Sequence, residues 1–233
     1  MNSEPSCAAR PLPVGLLVSS GLALVFFLVW TAFVQPGPDR EPLDVDRRLA
    51  EGMKTCAEEH PSLRDCFVLI THLGRVRVMA ALAALGVVGS FLLGYRQLAL
   101  CWLLATAGGG LLNFGLKTLI DRPRPPELLR DAAVYEKNES YPSGHAMGSM
   151  VGLGMFACAG WLAWRRRDVR ALLIGGTGVL VLSIGFSRIV LRAHWFSDVV
   201  AGFAVGASWL LACIAALEWL RRRDAASHAS VAA

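Results

Sequence analysis

Three short stretches of an otherwise apolar chain carry the side chains that chemistry needs. Lys117 is followed after six residues by Arg124 in "KTLIDRPRPPE". Ser143, Gly144 and His145 fall together in "YPSGHAMGSM". Arg188, His194 and Asp198 share "SRIVLRAHWFSDVVAG", with Asp198 four positions after His194. These residue types suit a phosphate ester. A phosphoryl group spreads its charge over three non-bridging oxygens, which lysine holds as a point charge and arginine as a planar fork. Serine is a favoured N-cap, and a glycine beside it leaves the free amides of a helix start open to an oxyanion. His145 lies just inside that helix start, aimed at the same place. His194 and Asp198 form an i, i+4 pair expected on one face of a helix. A carboxylate so placed holds one imidazole nitrogen and leaves the other free to attack phosphorus.

Each feature alone has a plainer reading. Lys117, Arg122 and Arg124 can anchor a helix end by snorkelling to the membrane interface, and Pro123, Pro125 and Pro126 stop a helix in any protein. His145 alone can be an interfacial histidine bonded to backbone. His194 with Asp198 is half of a metal site, but no third ligand follows at suitable spacing and no Cys/His cluster points to zinc. Arg122 and Arg192 read as surface anchors, Trp195 as an interfacial aromatic, and His60 and His72 as solvated or locally satisfied. The arrival of three such clusters on one side of a membrane favours chemistry, because ionisable groups beside lipid are expensive and mark function.

That arrival depends on the elements between the clusters. The 233 residues are 55% hydrophobic and only 18% charged, against about 45–50% and 25% in a soluble domain. Six stretches approach the roughly 20 apolar residues that a spanning helix needs: 14–34, 78–95, 97–116, 145–164, 171–187 and 195–220. The first is longer than a signal-peptide core and no A-x-A-like site follows it, so it is read as an uncleaved span. The expected fold is all-α, a six-transmembrane-helix bundle forming a single domain over 1–233. A polar insertion at 35–77 separates helices 1 and 2, the catalytic motifs occupy 117–198, and the tail at 224–233 is expected to be disordered. Within the insertion, Leu43, Leu49 and Met53 mark a short amphipathic surface helix. Cys101, Cys158 and Cys213 fall inside spans as small hydrophobes, and Cys7 lies before the first span. Cys56 and Cys66 share the insertion, where a disulfide is left open. Small residues in "GLGMFACAG" and "AGFAVGAS" point to close helix packing.

The net charge of +5 is a topology signal. "RRRDVR" joins spans four and five, "RRR" follows span six, and Arg10 and Arg96 fall on the same side if the helices alternate. By the positive-inside rule both termini are expected in the cytoplasm and the three clusters on the extracytoplasmic face, although Arg75 and Arg77 run against it. No basic stripe interleaved with aromatics is present, so nucleic acid is not an expected partner.

Lys117-x6-Arg124-Pro125, Pro142-Ser143-Gly144-His145 and Ser187-Arg188-x5-His194-x3-Asp198 resemble the three signature motifs of the type-2 phosphatidic acid phosphatase superfamily, in that family's order, over residues 117–198. The resemblance implies a six-helix membrane phosphatase that works at the outer surface without a metal or other cofactor. It implies that His194 is the nucleophile that forms a phosphohistidine, that Asp198 orients and charge-stabilises it, and that His145 protonates the leaving oxygen. Lys117, Arg124, Ser143, Gly144 and Arg188 are implied as the phosphate-binding set.

The partners expected on this basis are the bilayer and a phosphorylated lipid within it. Phosphatidic acid, phosphatidylglycerol phosphate and undecaprenyl diphosphate all suit a cationic site at headgroup level, and the last is slightly favoured. A phosphotransferase differs only in its acceptor. A transporter or a silent lipid-binding protein is the rival from another class, but a transporter's ionisable groups gather near the midplane, whereas these sit at the ends of spans.

Overall fold

The computed structural model describes residues 13–134 and 136–231, without the side chains of 226–231. Cys7 and Arg10 lie outside these residues. Among the described residues eight α-helices follow one another: α1 Val14–Val34, α2 Asp44–Glu59, α3 Pro61–Leu73, α4 Val76–Leu92, α5 Arg96–Ile120, α6 Gly144–Ala163, α7 Arg167–Val190 and α8 Phe196–Val231. Among the described residues there is no strand. Five of these helices are long and apolar enough to cross a membrane, namely α1, α5, α6, α7 and α8.

The second expected span differs in form. α4 covers most of it but is shorter than the other five, and only α3 and α4 taken together are long and apolar enough to cross a membrane, with a bend of 42° where they meet. The break falls at Gly74 and Arg75, the residues that end one helix and cap the next. Gly74 is there because nothing larger fits: a Cβ on it would lie 2.5 Å from Ile184 Cγ2 and 2.8 Å from His145 Cδ2. The bend lets the chain pass directly over the His145 ring. α2, the expected surface helix, buries Asp46, Ala50 and Ala57 and packs on α7 and α8, while α3 packs on α7. Cys56 and Cys66 are free thiols.

α8 is the hub, lying against α1, α5 and α6. One core cluster joins Phe27 and Val34 of α1 to Met147 of α6 and Ala201, Ala204 and Val205 of α8. A second joins Trp102 and Ala105 of α5 to Val151 and Met155 of α6 and Leu210 of α8. Residues 225–231 continue α8 as a helix where disorder was expected, consistent with alanine being the strongest helix former.

The small residues of α6 and α8 bring these two helices into near backbone contact. A Cβ on Gly202 would sit 2.6 Å from the Ser143 carbonyl oxygen and 3.0 Å from Ala146 Cβ. Gly202→Val is therefore expected to force α8 away from the start of α6, at a cost of about 1–3 kcal/mol. Gly175→Ala, where an added Cβ meets open space, is expected to hold or raise stability. Thermal unfolding in detergent checks both, with a lower midpoint for the first variant alone.

Candidate active site

The carboxyl ends of α5 and α7 and the amino ends of α6 and α8 lie at one end of the bundle, and the three motif stretches meet there. α5 ends at Ile120, and Asp121 turns the chain in a left-handed conformation at φ 50°. The loop that follows returns to α6 at Ser143, the N-cap residue, with Gly144 and His145 in its first turn. α7 closes with Arg188 in its last turn. A second left-handed residue, Arg192 at φ 52°, then sends the chain through His194 into α8.

His194 and Asp198 do not share a helix, contrary to expectation. α8 starts at Phe196, so His194 stands in the turn before it and Asp198 in its first turn. The Asp198 Oδ2 accepts the Trp195 backbone N–H at 2.9 Å. This is half of a capping box, in which a carboxylate three residues into a helix satisfies the amide before it. Asp198 thus both starts α8 and fixes the turn that presents His194.

The His194 ring has two distinct faces. Its Nδ1 lies 3.3 Å from Ser140 Oγ and 3.5 Å from Asp198 Oδ2. Ser140 Oγ donates to the same Asp198 oxygen at 2.5 Å, so the serine bridges ring and carboxylate. The other nitrogen, Nε2, is 3.1 Å from Arg124 Nη1. A guanidinium can only donate, so Nε2 presents its lone pair and Nδ1 carries the proton.

Lys117, Arg124 and Arg188 gather around that lone pair. The ammonium of Lys117 donates to the Glu139 carbonyl. Arg124 is braced by the Asn138 and Ala193 carbonyls, each at 2.7 Å. Arg188 is held by Thr71 of α3 at 2.8 Å. At the focus sits a carboxylate that the sequence analysis missed. Glu136 Oε1 is 2.5 Å from Arg188 and Oε2 is 2.7 Å from Arg124. The same group lies 3.8 Å from His145 Nδ1 and 4.0 Å from His194 Nε2. Burial pushes the Glu136 carboxyl upward, but Arg188 and Arg124 outweigh it and hold the group below the usual carboxylate range. The cationic cluster therefore faces an anion supplied by the chain itself.

His145 reaches this cluster from the start of α6, and its Nε2 has no partner among the described residues. The hydroxyl of Ser143 and Nε of Arg188 are likewise buried without partners there. Gly144 lies where an added Cβ would come 3.2 Å from Asn113 Oδ1. The site thus keeps unspent hydrogen-bonding capacity of the kind a ligand uses.

Three residues read as surface groups are interior ones. Arg122 is 2% exposed and bonds Asp198 Oδ1 at 2.5 Å. Arg192 donates to the carbonyls of Leu129, Met53 and Val190. Trp195 is buried and its indole N–H donates to the Pro123 carbonyl at 3.2 Å. Each was assigned to the surface because the partners that bury it, Asp198 for Arg122, Leu129 and Met53 for Arg192 and Pro123 for Trp195, are far away in sequence and leave no local pattern.

This bundle and its cluster of ionisable groups define a class, a multi-pass membrane protein with a histidine–carboxylate pair facing a cationic pocket. A model of the PAP2 superfamily matches residues 98–222, and the chain belongs to that superfamily. Phosphatidylglycerophosphatase B of Bacillus subtilis (strain 168) is 30% identical over 155 residues, covering 63% of this chain and 71% of that protein. The crystal structure of a transmembrane PAP2 type phosphatidylglycerolphosphate phosphatase from Bacillus subtilis matches with a TM-score of 0.69 at 25% identity, over 84% of this chain and 94% of that one. The protein is a membrane lipid phosphatase whose substrate is a phosphorylated lipid of the bilayer.

Burial, followed by the nearby charges of Arg124, Lys117 and Arg188, holds the His194 ring well below the ordinary imidazole range. A depressed value means that the ring stays neutral as pH falls and gains its second proton only in more acid solution. Nitrogen NMR of labelled histidine, assigned with His194→Ala, is expected to find this ring neutral and Nδ1-protonated at about pH 5.5, one unit under the ordinary value. Protonation near pH 6.5 would contradict the placement of the three cations.

Proposed function

We propose that this lipid phosphatase cleaves the phosphomonoester of phosphatidylglycerol phosphate through a phosphohistidine on His194, at the extracytoplasmic face. The observation that carries the mechanism is the His194 ring, anchored through Nδ1 by Ser140 and Asp198 while Nε2 faces the cations. Attack by Nε2 in line with the ester oxygen forms the N–P bond as the P–O bond breaks. His145 stands beside the same carboxylate seat and is the group placed to give the leaving oxygen its proton. Water, giving up a proton to the now deprotonated His145, then splits the N–P bond, releasing inorganic phosphate and the neutral His194 ring. Arg124, Arg188 and Lys117, with Ser143 and the Gly144 amide, hold the three equatorial oxygens as charge develops on them. A phosphate enters by displacing Glu136 from Arg188 and Arg124, so the loop carrying Glu136 has to give way.

Two cavities suit a lipid with a charged head and apolar tail. A polar one of about 640 Å³ opens between Pro123, Arg124, Glu136 and Glu139. An apolar one of similar size runs between α4, α5 and α6 past Gly74, Met79, Gly109, Gly144, Met147 and Gly148. The second begins beside the His145 ring, which Gly74 approaches. The head lies in one and the tail in the other, with phosphorus between them. Support for the orientation comes from the opposite end of the bundle, where Arg165, Arg166, Arg167 and Arg170 cluster and Arg170 stacks 4.2 Å over Trp161 as an interfacial anchor.

The sequence favours undecaprenyl diphosphate, whereas the named relatives move the first choice to phosphatidylglycerol phosphate. The deciding experiment measures phosphate release by detergent-purified protein from each of these lipids and from phosphatidic acid, with EDTA present. The expected result is fastest release from phosphatidylglycerol phosphate, undiminished by EDTA and abolished in His194→Ala. Faster release from undecaprenyl diphosphate would overturn the substrate assignment. Turnover surviving in His194→Ala would overturn the mechanism. Disappearance of the lipid phosphate without free phosphate would reveal a phosphotransferase.

A further inference from the structure

Behind the His194–Asp198 pair, on the side away from the phosphate seat, lies a second buried charge cluster. Asp46 comes from α2, Arg122 from the turn after α5, and Ser197 and Asp198 from the first turn of α8. Asp46 is 1%, Arg122 2% and Asp198 0% exposed. Arg122 Nη1 donates to Asp198 Oδ1 at 2.5 Å and to Ser197 Oγ at 2.8 Å. Arg122 Nη2 donates to Asp46 Oδ2 at 3.1 Å. Asp46 also accepts the Ser197 backbone N–H at 2.9 Å and its hydroxyl at 2.6 Å. The Arg122 carbonyl in turn accepts the Ser140 backbone N–H at 2.8 Å, and the Ser140 hydroxyl is the one that touches both His194 and Asp198.

We propose that Arg122, clamped by Asp46 of the surface helix, is a positioning residue for the nucleophile. Its guanidinium occupies one Asp198 oxygen, so the other alone faces His194. Its carbonyl sets the height of Ser140, the bridge between carboxylate and ring. The charge count supports the same role. Asp46, Arg122 and Asp198 together carry one net negative charge. The imidazole becomes positive as its Nε2 bonds phosphorus, so the cluster is neutralised only in the phosphorylated state. Removing Arg122 leaves two buried carboxylates with no cation between them, a strongly destabilised arrangement. The insertion between the first two spans is by this argument part of the catalytic apparatus, since one of its side chains reaches the far side of Asp198.

The proposal rests on His194 being the nucleophile, so its test is built to separate the two. With p-nitrophenyl phosphate the leaving group needs no proton, and turnover reports the His194 steps without the lipid. Arg122→Gln is expected to lower kcat on the order of 10²-fold with KM within about twofold, since the phosphate seat is untouched. Asp46→Asn is expected to lower kcat less. The double variant, which restores a single net negative charge, is expected to be faster than Arg122→Gln alone, a non-additivity that mere loss of packing does not produce. A folded Arg122→Gln with native kcat, or one that changes KM alone, would overturn the positioning role. If that variant does not fold, Asp46→Asn decides by the same kcat-against-KM split, native kcat being the contrary result. His194→Ala runs beside them: a dead His194→Ala with a fully active Arg122→Gln refutes only this inference, while an active His194→Ala refutes the reading beneath it.

Discussion

A carboxylate with no exposure to solvent, at the end of a bundle of apolar helices, is the constraint around which this molecule is arranged. Taking Asp198 out of water costs several kcal/mol unless fixed partners replace the lost hydration. Its two oxygens receive Arg122, Ser140 and the Trp195 amide. Those partners come from the turn after α5, the end of the loop before α6, and the turn before α8. Meeting the needs of one side chain therefore brings three separate stretches of chain to one point. The same carboxylate opens α8, the helix against which α1, α5 and α6 pack, so the requirement of the site and that of the fold coincide.

A second electrostatic balance operates on the other face of His194. Lys117, Arg124 and Arg188 are too close to one another to be stable without an anion, and Glu136 supplies it. On the proposed mechanism the arrangement yields to a better anion. A phosphate dianion offers more oxygens and more charge than a carboxylate, and in that seat it would also meet the groups of Ser143, His145 and Arg188 that have no partner among the described residues. Both balances place a neutral imidazole between a fixed negative group and a fixed positive pocket, the polarity required for a nitrogen that is to bond phosphorus.

The spans and the motif residues were legible in the sequence for different physical reasons. A helix in hydrocarbon satisfies its own backbone, so apolar length alone announces it. Lys117, Arg124, Arg188, His145, His194 and Asp198 stood out because ionisable groups are rare in such a chain. What stayed hidden depends on contacts distant in sequence. Glu136 lies in a polar loop among other acidic and basic residues, and nothing nearby marks it as the anion of the site. Arg122 looked like any interfacial arginine until Asp46, 76 positions earlier, came to meet it. The second span read as a simple apolar run because the need for its bend at Gly74 lies in the His145 ring and Ile184. The His194–Asp198 spacing pointed to the right partners by the wrong geometry, since the carboxylate meets the ring from the first turn of the helix it caps, while His194 stands before that helix and does not share it.

On the proposed mechanism phosphorus passes through a covalent bond to His194, a route of two in-line displacements. The stereochemical course of hydrolysis tests this directly, whether or not the intermediate accumulates. With an isotopically chiral phosphorothioate substrate, two inversions are expected to give net retention of configuration at phosphorus. Net inversion would mean that water attacks the lipid phosphate in one step, and would contradict a nucleophilic role for the imidazole.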